Sequence, residues 1–328
     1  MPNNVLISII NWNSSADTIQ CLESVLHLSH SDDIKIELIV IDNASDVADV
    51  KKLDDWLSEK NIGLVKNSKN LGFAGGHNYS IKRAIDLKYD YVWLLNNDAI
   101  VYRNTLFELV KLMQINPRCG SCSPIIHRLK NHGTIDYCGS SHNWSTLSTS
   151  HPKSFPEAAE FCKSNADDIW LAGTAILFRV DALRSVGALD EGLFAYYEDN
   201  DIGVRLIKNG WNNLLAFNSE IEHACFDGVI TDRKPYYFYL MARNSFLFYL
   251  KHTPRPFRKA LRLRLLDNSL AVADGLQHKG YTDKANACLL GVADGLSGIG
   301  GPPALNRPVP FWLQCLRPIG RWWNRKRR

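Results

Sequence analysis

The chain has 328 residues, of which 45% are hydrophobic and 22% charged, with 38 Lys+Arg against 34 Asp+Glu. This is ordinary globular composition at a length of about two domains, which excludes disordered, collagenous and coiled-coil descriptions of the whole. The formal net charge of +4 hides an asymmetry: residues 251–328 carry 15 basic and 4 acidic side chains, whereas the first 250 carry 23 and 30. A basic C-terminal quarter on an acidic body points to an anionic partner, either a membrane surface or a nucleic acid.

Val5–Ile10 reads as a short buried strand ended by Asn11, and Ala16–Leu28 has helical spacing. Ile36–Ile41 is a second strand, ended by Asp42-Asn43, with a helix over Val47–Lys60 and a third strand at Ile62–Val65. A glycine-rich loop, Asn70–Gly76, leads into a helix through Leu87. Tyr91–Leu95 is a fourth strand ending at Asn96-Asn97-Asp98, followed by a helix over Thr105–Ile115 and a strand over Gly120–Ile126. The alternation predicts an α/β fold, a Rossmann-like, mostly parallel sheet flanked by helices, with ligands at the carboxyl ends of the strands.

Residues 127–168 are polar and rich in Ser, His and Pro, and read as an irregular excursion. A strand at Ile169–Arg179, short helices at Val180–Val186 and Asp199–Asn209, a strand at Asn213–Phe217 and a long helix at Pro235–Lys251 follow. Two amphipathic helices are expected near Arg258–Leu276 and Thr282–Leu296, and Val-Ala-Asp-Gly-Leu occurs in both, at 272–276 and 292–296. The expected division is a catalytic domain over 1–250, with halves 1–126 and 127–250, and a basic helical region over 251–328.

Met1–Asn4 lacks a basic stretch, and no run is long and apolar enough to span a bilayer, so the expectation is a cytoplasmic protein. Eight cysteines are too few for a disulfide scaffold; Cys119-Gly-Ser-Cys122 has no second close pair, so reduced structural thiols are expected rather than a zinc ribbon. No nucleic-acid-binding signature accompanies the basic tail.

The first strand is followed by Asn11-Trp-Asn-Ser-Ser, without the glycines of a dinucleotide or P-loop fingerprint. Asp42 can accept from ribose hydroxyls or a base N–H, or it can make an Asx turn into the next helix. Asp98 can hold a divalent cation jointly with phosphate oxygens, or mark a turn. Phe194-Ala-Tyr-Tyr-Glu198-Asp199-Asn200-Asp201 crowds three carboxylates among aromatics at a helix start, which suits a base with a raised pKa better than it suits stability. His223 gains weight only as a second ligand beside Asp98.

Asn11-Trp12-Asn13, Asp42–Ser45, Asn70-Leu-Gly72 through Asn78, Leu94–Asp98, Ala172-Gly173-Thr174 and Tyr197–Asp201, in that order, resemble a family 2 inverting glycosyltransferase of GT-A fold. The resemblance covers about residues 4–250 and is nearest to the bacterial rhamnosyltransferase-like branch that builds surface polysaccharides such as O-antigens. It implies donor-binding roles for Asn11, Asp42, Asn43, Asn70, Gly72, Asn78, Asn96 and Asn97, with Arg243 near the diphosphate. It implies Asp98 and His223 as ligands of Mg²⁺ or Mn²⁺, Asp199 as general base beside Glu198, and Gly173, Thr174 and Tyr197 in the sugar or acceptor pocket. Asn96 stands where a DxD motif has its first carboxylate, so donor phosphates must supply part of the metal's counter-charge. The implied reaction moves a sugar, with L-rhamnose from dTDP-rhamnose the first choice and UDP- or GDP-sugars open, onto a saccharide or lipid-linked saccharide. A nucleotidyltransferase and a non-catalytic glycosyltransferase-like subunit are the alternatives. Arg258–Leu266 and Arg321–Arg328 couple basic residues to Leu and Trp, implying peripheral attachment at the inner face of the membrane.

Overall fold

The computed structural model describes residues 2–29, 33–131, 133–144, 147–165 and 168–325, the side chains of residues 148 and 319–325 excepted. The chain divides into two compact units, one of Met1–Leu189 with Asp199–Cys225 and one of Asp190–Glu198 with Phe226–Arg328.

In the first unit the elements are β1 (Asn3–Asn11), α1 (Ser15–Leu26), β2 (Ile34–Asp42), α2 (Val47–Glu59), β3 (Leu64–Lys66), α3 (Gly72–Asp86), β4 (Tyr91–Asn96), β5 (Ala99–Val101), α4 (Thr105–Ile115) and β6 (Cys119–Arg128). They continue with β7 (Ile135–Tyr137), β8 (Ser140–Asn143), β9 (Ser148–Ser150), α5 (Phe155–Ser164), β10 (Ile169–Trp170), β11 (Ala175–Arg179), α6 (Val180–Val186), α7 (Glu198–Lys208) and β12 (Asn212–His223). The main sheet runs β3-β2-β1-β4-β11-β6-β12-β5, with β7 on β6. Its first four strands are mutually parallel, as the alternation predicts. β11 then enters antiparallel between β4 and β6.

The apolar runs of β1 and β4 are buried on both faces, as strands covered by helices on each side require. Val5, Ile7, Ile9, Tyr91, Trp93 and Leu95 pack in one cluster with α1, α2 and α4. Leu6, Val92 and Leu94 pack in another with α3, α6 and α7. This is the period-two alternation of a strand.

The polar stretch 127–168 is not irregular: β8 pairs with β9 and β10 in a three-stranded antiparallel sheet. β8 and β9 are Ser-rich and β10 is only two residues long, so there is no apolar periodicity to read. The strand expected over Ile169–Arg179 is broken into β10 and β11 at Leu171–Thr174. The glycines of the loop expected at 70–76 lie largely inside α3, because the helix runs close to β1: a Cβ on Gly76 would lie 2.6 Å from Ile10 Cδ1.

The second unit holds α8 (Pro235–His252), α9 (Arg258–His278), α10 (Thr282–Ser297) and α11 (Phe311–Arg325). α10 lies on α8 through two glycines spaced one turn apart. A Cβ on Gly291 would lie 2.2 Å from the Tyr239 carbonyl oxygen, and one on Gly295 would lie 2.9 Å from that of Arg243. Both aspartates of the repeated pentapeptide, Asp274 and Asp294, are buried. Asp294 accepts from the Tyr239 hydroxyl and from Arg307.

Candidate active site

Register alone gathers the first part of the site. Asn11 pairs with Asp42 at the ends of β1 and β2, and Ile10 pairs with Asn96 at the end of β4. Parallel strands thus bring three polar motifs to one edge of the sheet, where α/β folds bind ligands.

Asn11 is fully buried and its side chain is committed to the protein. It donates to Asp42 Oδ1 at 2.9 Å and to Asp49 Oδ2 at 2.8 Å, and accepts from Thr18 Oγ1 at 2.8 Å. Asp42 also accepts from the Ser45 N–H at 3.0 Å, the Asx turn that its position allowed. Asp49, which no motif flagged, accepts from the Ser15 N–H. Burial raises its carboxyl, but the bonds from Asn11 and Ser15 outweigh that and hold it below its usual range.

Asn43 organises the next loop. Its amide donates to Asn70 Oδ1 and the Gly72 carbonyl, both at 3.0 Å, and its oxygen accepts from Asn67 and the Leu71 N–H. Asn70 Oδ1 also accepts from the Gly72 N–H, closing the turn into α3. Asn78 clamps the backbone of Leu189 through both amide atoms, at 2.9 and 3.0 Å. Asn97 donates to Thr18 Oγ1.

β11 brings the second part. The Asn96 N–H donates to the Thr174 carbonyl, which sets Ala172-Gly173-Thr174 beside the end of β4. The Gly173 N–H donates to Asp199 Oδ2 at 3.0 Å, and a Cβ on Gly173 would lie 3.3 Å from Phe73 Cζ. The Asn200 N–H and side-chain amide both donate to Asp199 Oδ1. Burial pushes the Asp199 carboxyl above its ordinary range, and these three donors oppose the rise only in part. Ala172 and Thr174 line a cavity of about 850 Å³ with Asp136, Tyr137, His151, Lys153 and Phe155.

The segment ahead of Asp199 is strained. Phe194, Tyr196 and Tyr197 all have positive φ, at 63°, 69° and 73°, a conformation that costs a non-glycine residue energy and concentrates at functional sites. Within the second unit, the Asn244 amide donates to the carbonyls of Leu193, Ala195 and Tyr196 at 2.8 Å each. Arg243, fully buried, donates to the carbonyls of Gly301, Leu193 and Gly192. With Nε donating to Asn244 Oδ1 at 2.9 Å, its guanidinium is spent within that unit. The Tyr197 ring lies 5.5 Å from that of Phe248, and Glu198 is buried at the first position of α7.

The third part is built by β12, which ends on His223 beside Ala99 of β5. The Ala224 N–H donates to the Asp98 carbonyl. His223 Nε2 lies 3.2 Å from Asp98 Oδ1, a buried oxygen that accepts no hydrogen bond of good geometry. On the other side of the ring, Nδ1 lies 3.9 Å from Asp136 Oδ2 and 3.4 Å from Cys225 Sγ. Burial lowers the His223 imidazole, but Asp136 and Asp98 outweigh it and raise it to about 11. His223 in turn holds the Asp136 carboxyl low. A buried carboxylate oxygen 3.2 Å from an imidazole nitrogen, with no hydrogen bond of good geometry, is a donor pair that suits Mg²⁺ or Mn²⁺, so these residues fit such an ion. Sequence spacing could not find Asp136, since no local motif links it to His223.

The fold is that of the GT-A class of glycosyltransferases. Residues 6–186 match the model of glycosyl transferase family 2, and the chain belongs to that family. Among solved structures it is similar to a mannosyltransferase of Pyrobaculum calidifontis in complex with GDP-Man and Mn²⁺, with a TM-score of 0.58 and 15% identity over 90% of this chain and 88% of that one. It is also similar to residues 1–349 of S. aureus TarS, with a TM-score of 0.55 and 13% identity over 98% and 87%. Among sequences, an N-acetylglucosaminyl-diphospho-decaprenol L-rhamnosyltransferase of Mycobacterium tuberculosis is 43% identical over 54 residues, 16% of this chain and 18% of that protein. The chain therefore spans under a fifth of that relative's length. A low-salt glycan biosynthesis hexosyltransferase of Haloferax volcanii is 22% identical over 267 residues, 75% of this chain and 76% of the relative. Among the described residues, no helix is long and apolar enough to cross a membrane.

Proposed function

We propose that this chain transfers a sugar from a nucleotide-sugar donor to an acceptor hydroxyl with inversion at the anomeric carbon. The observation that carries the reading is Asp199. Its carboxylate is fixed by three N–H donors, raised by burial, and tied through Gly173 to the loop that lines an open cavity. A base held in this way can take the acceptor's proton as its oxygen attacks, an effect worth roughly 10²–10⁴-fold. Asp42 and the turn held by Asn43 and Asn70 would receive the nucleoside, and Gly173 and Thr174 the sugar.

Asp98 and His223 would hold Mg²⁺ or Mn²⁺, which supplies positive charge against the diphosphate as it leaves. Arg243 and Asn244 act one step back, by holding the strained segment from which Asp199 follows. L-rhamnose from dTDP-rhamnose is the first choice of donor, supported by the mycobacterial relative over the short match only. Bacterial surface polysaccharide synthesis is the setting we favour.

A lipid-linked saccharide acceptor at the inner face of the membrane is supported by charge. From Arg233 to Leu266 there are nine basic residues and no acidic one. At the start of α9, Phe257 and Leu263 are 65% and 62% exposed among Arg255, Lys259, Arg262 and Arg264. Such a surface suits an anionic headgroup zone at about 1 kcal/mol per basic residue. The tail expected to share this role, Arg321–Arg328, has side chains outside the described residues.

The test is a screen of dTDP-, UDP- and GDP-sugars by nucleoside diphosphate release, with saccharide and lipid-linked acceptors. A donor that yields diphosphate and a glycosylated acceptor is the expected result. Release of pyrophosphate would select a nucleotidyltransferase, and no release with any donor would select a non-catalytic subunit.

A further inference from the structure

His223 presents two nitrogens to two different sets of atoms. Nε2 faces Asp98, while Nδ1 faces Asp136 on β7 and Cys225 just beyond β12. The Cys225 N–H donates to the His223 carbonyl at 2.8 Å, a tight turn that folds the thiol back beside the ring. One ligand atom from each of Asp136, His223 and Cys225 lies within 4.8 Å of the other two. Around a tetrahedral ion bonded at about 2.0–2.3 Å, neighbouring ligand atoms are about 3.3–3.7 Å apart. The observed 3.4 Å from thiol to ring already fits, and the 3.9 Å from carboxylate to ring needs a small contraction. Asp136 is 26% exposed, so an ion can enter from solvent, and Arg128 Nη2 lies 3.4 Å from its other oxygen and braces it.

We propose that Asp136, His223 and Cys225 form a second cation site, for a thiophilic ion of the Zn²⁺ and Co²⁺ class. One thiolate and one carboxylate neutralise a divalent charge, and the thiolate favours these ions over Mg²⁺. On binding, the thiol proton and any proton on Nδ1 leave to solvent. The site is regulatory by the chemistry of imidazole. A neutral ring has one nitrogen lone pair. An ion on Nδ1 takes it and leaves the proton on Nε2, facing Asp98, where the activating Mg²⁺ or Mn²⁺ needs a lone pair. The two ions therefore exclude each other, and Zn²⁺ inhibits.

The cation site itself is independent of the proposed transfer reaction; only the inhibition rests on it. The test adds Co²⁺ to the metal-free full-length protein and follows the near-ultraviolet thiolate-to-Co²⁺ charge-transfer band, then titrates Zn²⁺ calorimetrically. Both readouts need no turnover, so their failure leaves the transfer reading intact. The expected result is a band in the wild type that Cys225→Ser abolishes, and Zn²⁺ affinity at least about tenfold weaker in Asp136→Asn. With Mn²⁺ present, Zn²⁺ should raise the Mn²⁺ concentration needed for half-maximal activity in the wild type, and not in Cys225→Ser measured against its own Zn²⁺-free activity. No band, or an undiminished band in Cys225→Ser, overturns the site. Simultaneous binding of Zn²⁺ and Mn²⁺ without mutual weakening overturns the exclusion.

Discussion

Replacing Asp199 by Asn separates catalysis from stability, because the two side chains match in shape and differ in what they accept. In the wild type, Oδ1 receives two N–H donors from Asn200 and Oδ2 receives the Gly173 N–H at 3.0 Å. Asn offers one oxygen, so its amide must face either Gly173 or Asn200, donor against donor. Leaving one buried N–H unpaired costs about 1–3 kcal/mol. Against that, the substitution removes a charge that burial disfavours, as the raised pKa of Asp199 records. The two terms oppose, so the net change in stability should stay within about 2 kcal/mol, or several degrees of melting temperature for a chain of this size. Loss of the general base should cost about 10²–10⁴-fold in turnover, about 3–5.5 kcal/mol of barrier. The assay is nucleoside diphosphate release with the donor found by screening, alongside a thermal melt and calorimetric donor affinity. The expected outcome is turnover nearly abolished, with melting temperature and donor affinity close to wild type. Near-normal turnover would refute the role of Asp199, and a collapse in melting temperature would refute the opposing-terms argument.

A general base at Asp199 must be ionised to act and the pKa of this carboxyl is raised, so the proposed role predicts that kcat/KM falls on the acid side at a pH above that of an ordinary aspartate, about 3.9. The same shift makes the group favour folding at low pH and oppose it above the raised pKa, so Asp199→Asn should gain stability relative to wild type as pH rises. Asp98→Ala removes one of the two facing donors at His223, and a Mn²⁺ titration of activity should show a much higher requirement; an unchanged titration would count against a metal role. Gly291→Ala puts a Cβ 2.2 Å from the Tyr239 carbonyl oxygen and should destabilise the α8–α10 pair by about 1–3 kcal/mol or more, read by thermal melting. Phe257→Ser with Leu263→Ser removes two exposed apolar side chains, each worth about 1.5–3 kcal/mol if fully buried in lipid. Co-sedimentation with anionic vesicles should weaken at least about tenfold, and unchanged binding would refute this attachment surface.

What could be read in the sequence follows from what is local. Apolar runs of five or six residues separated by helical spacing mark the parallel strands, and once strands are parallel their carboxyl ends must meet, which is why Asn11, Asp42 and Asn96 group from the sequence alone. The sheet of β8, β9 and β10 is illegible because β8 and β9 are short and Ser-rich, which leaves no apolar alternation. Asp136 is illegible as a neighbour of His223 because their contact is made by strand pairing across a long stretch of sequence. A subtler gap concerns the motif amides. Asn11, Asn43 and Asn78 read as groups that touch a donor, yet in the fold their hydrogen bonds go to Asp42 and Asp49, to the 67–72 turn and to Leu189. In the fold, then, these amides hold other groups of the candidate site. Asn11 supplies N–H groups to two buried or half-buried carboxylates at once, so replacing it would leave Asp42 and Asp49 facing each other without a shared donor. Any loss of donor binding in such a variant would reflect a displaced Asp42 rather than a lost contact from residue 11.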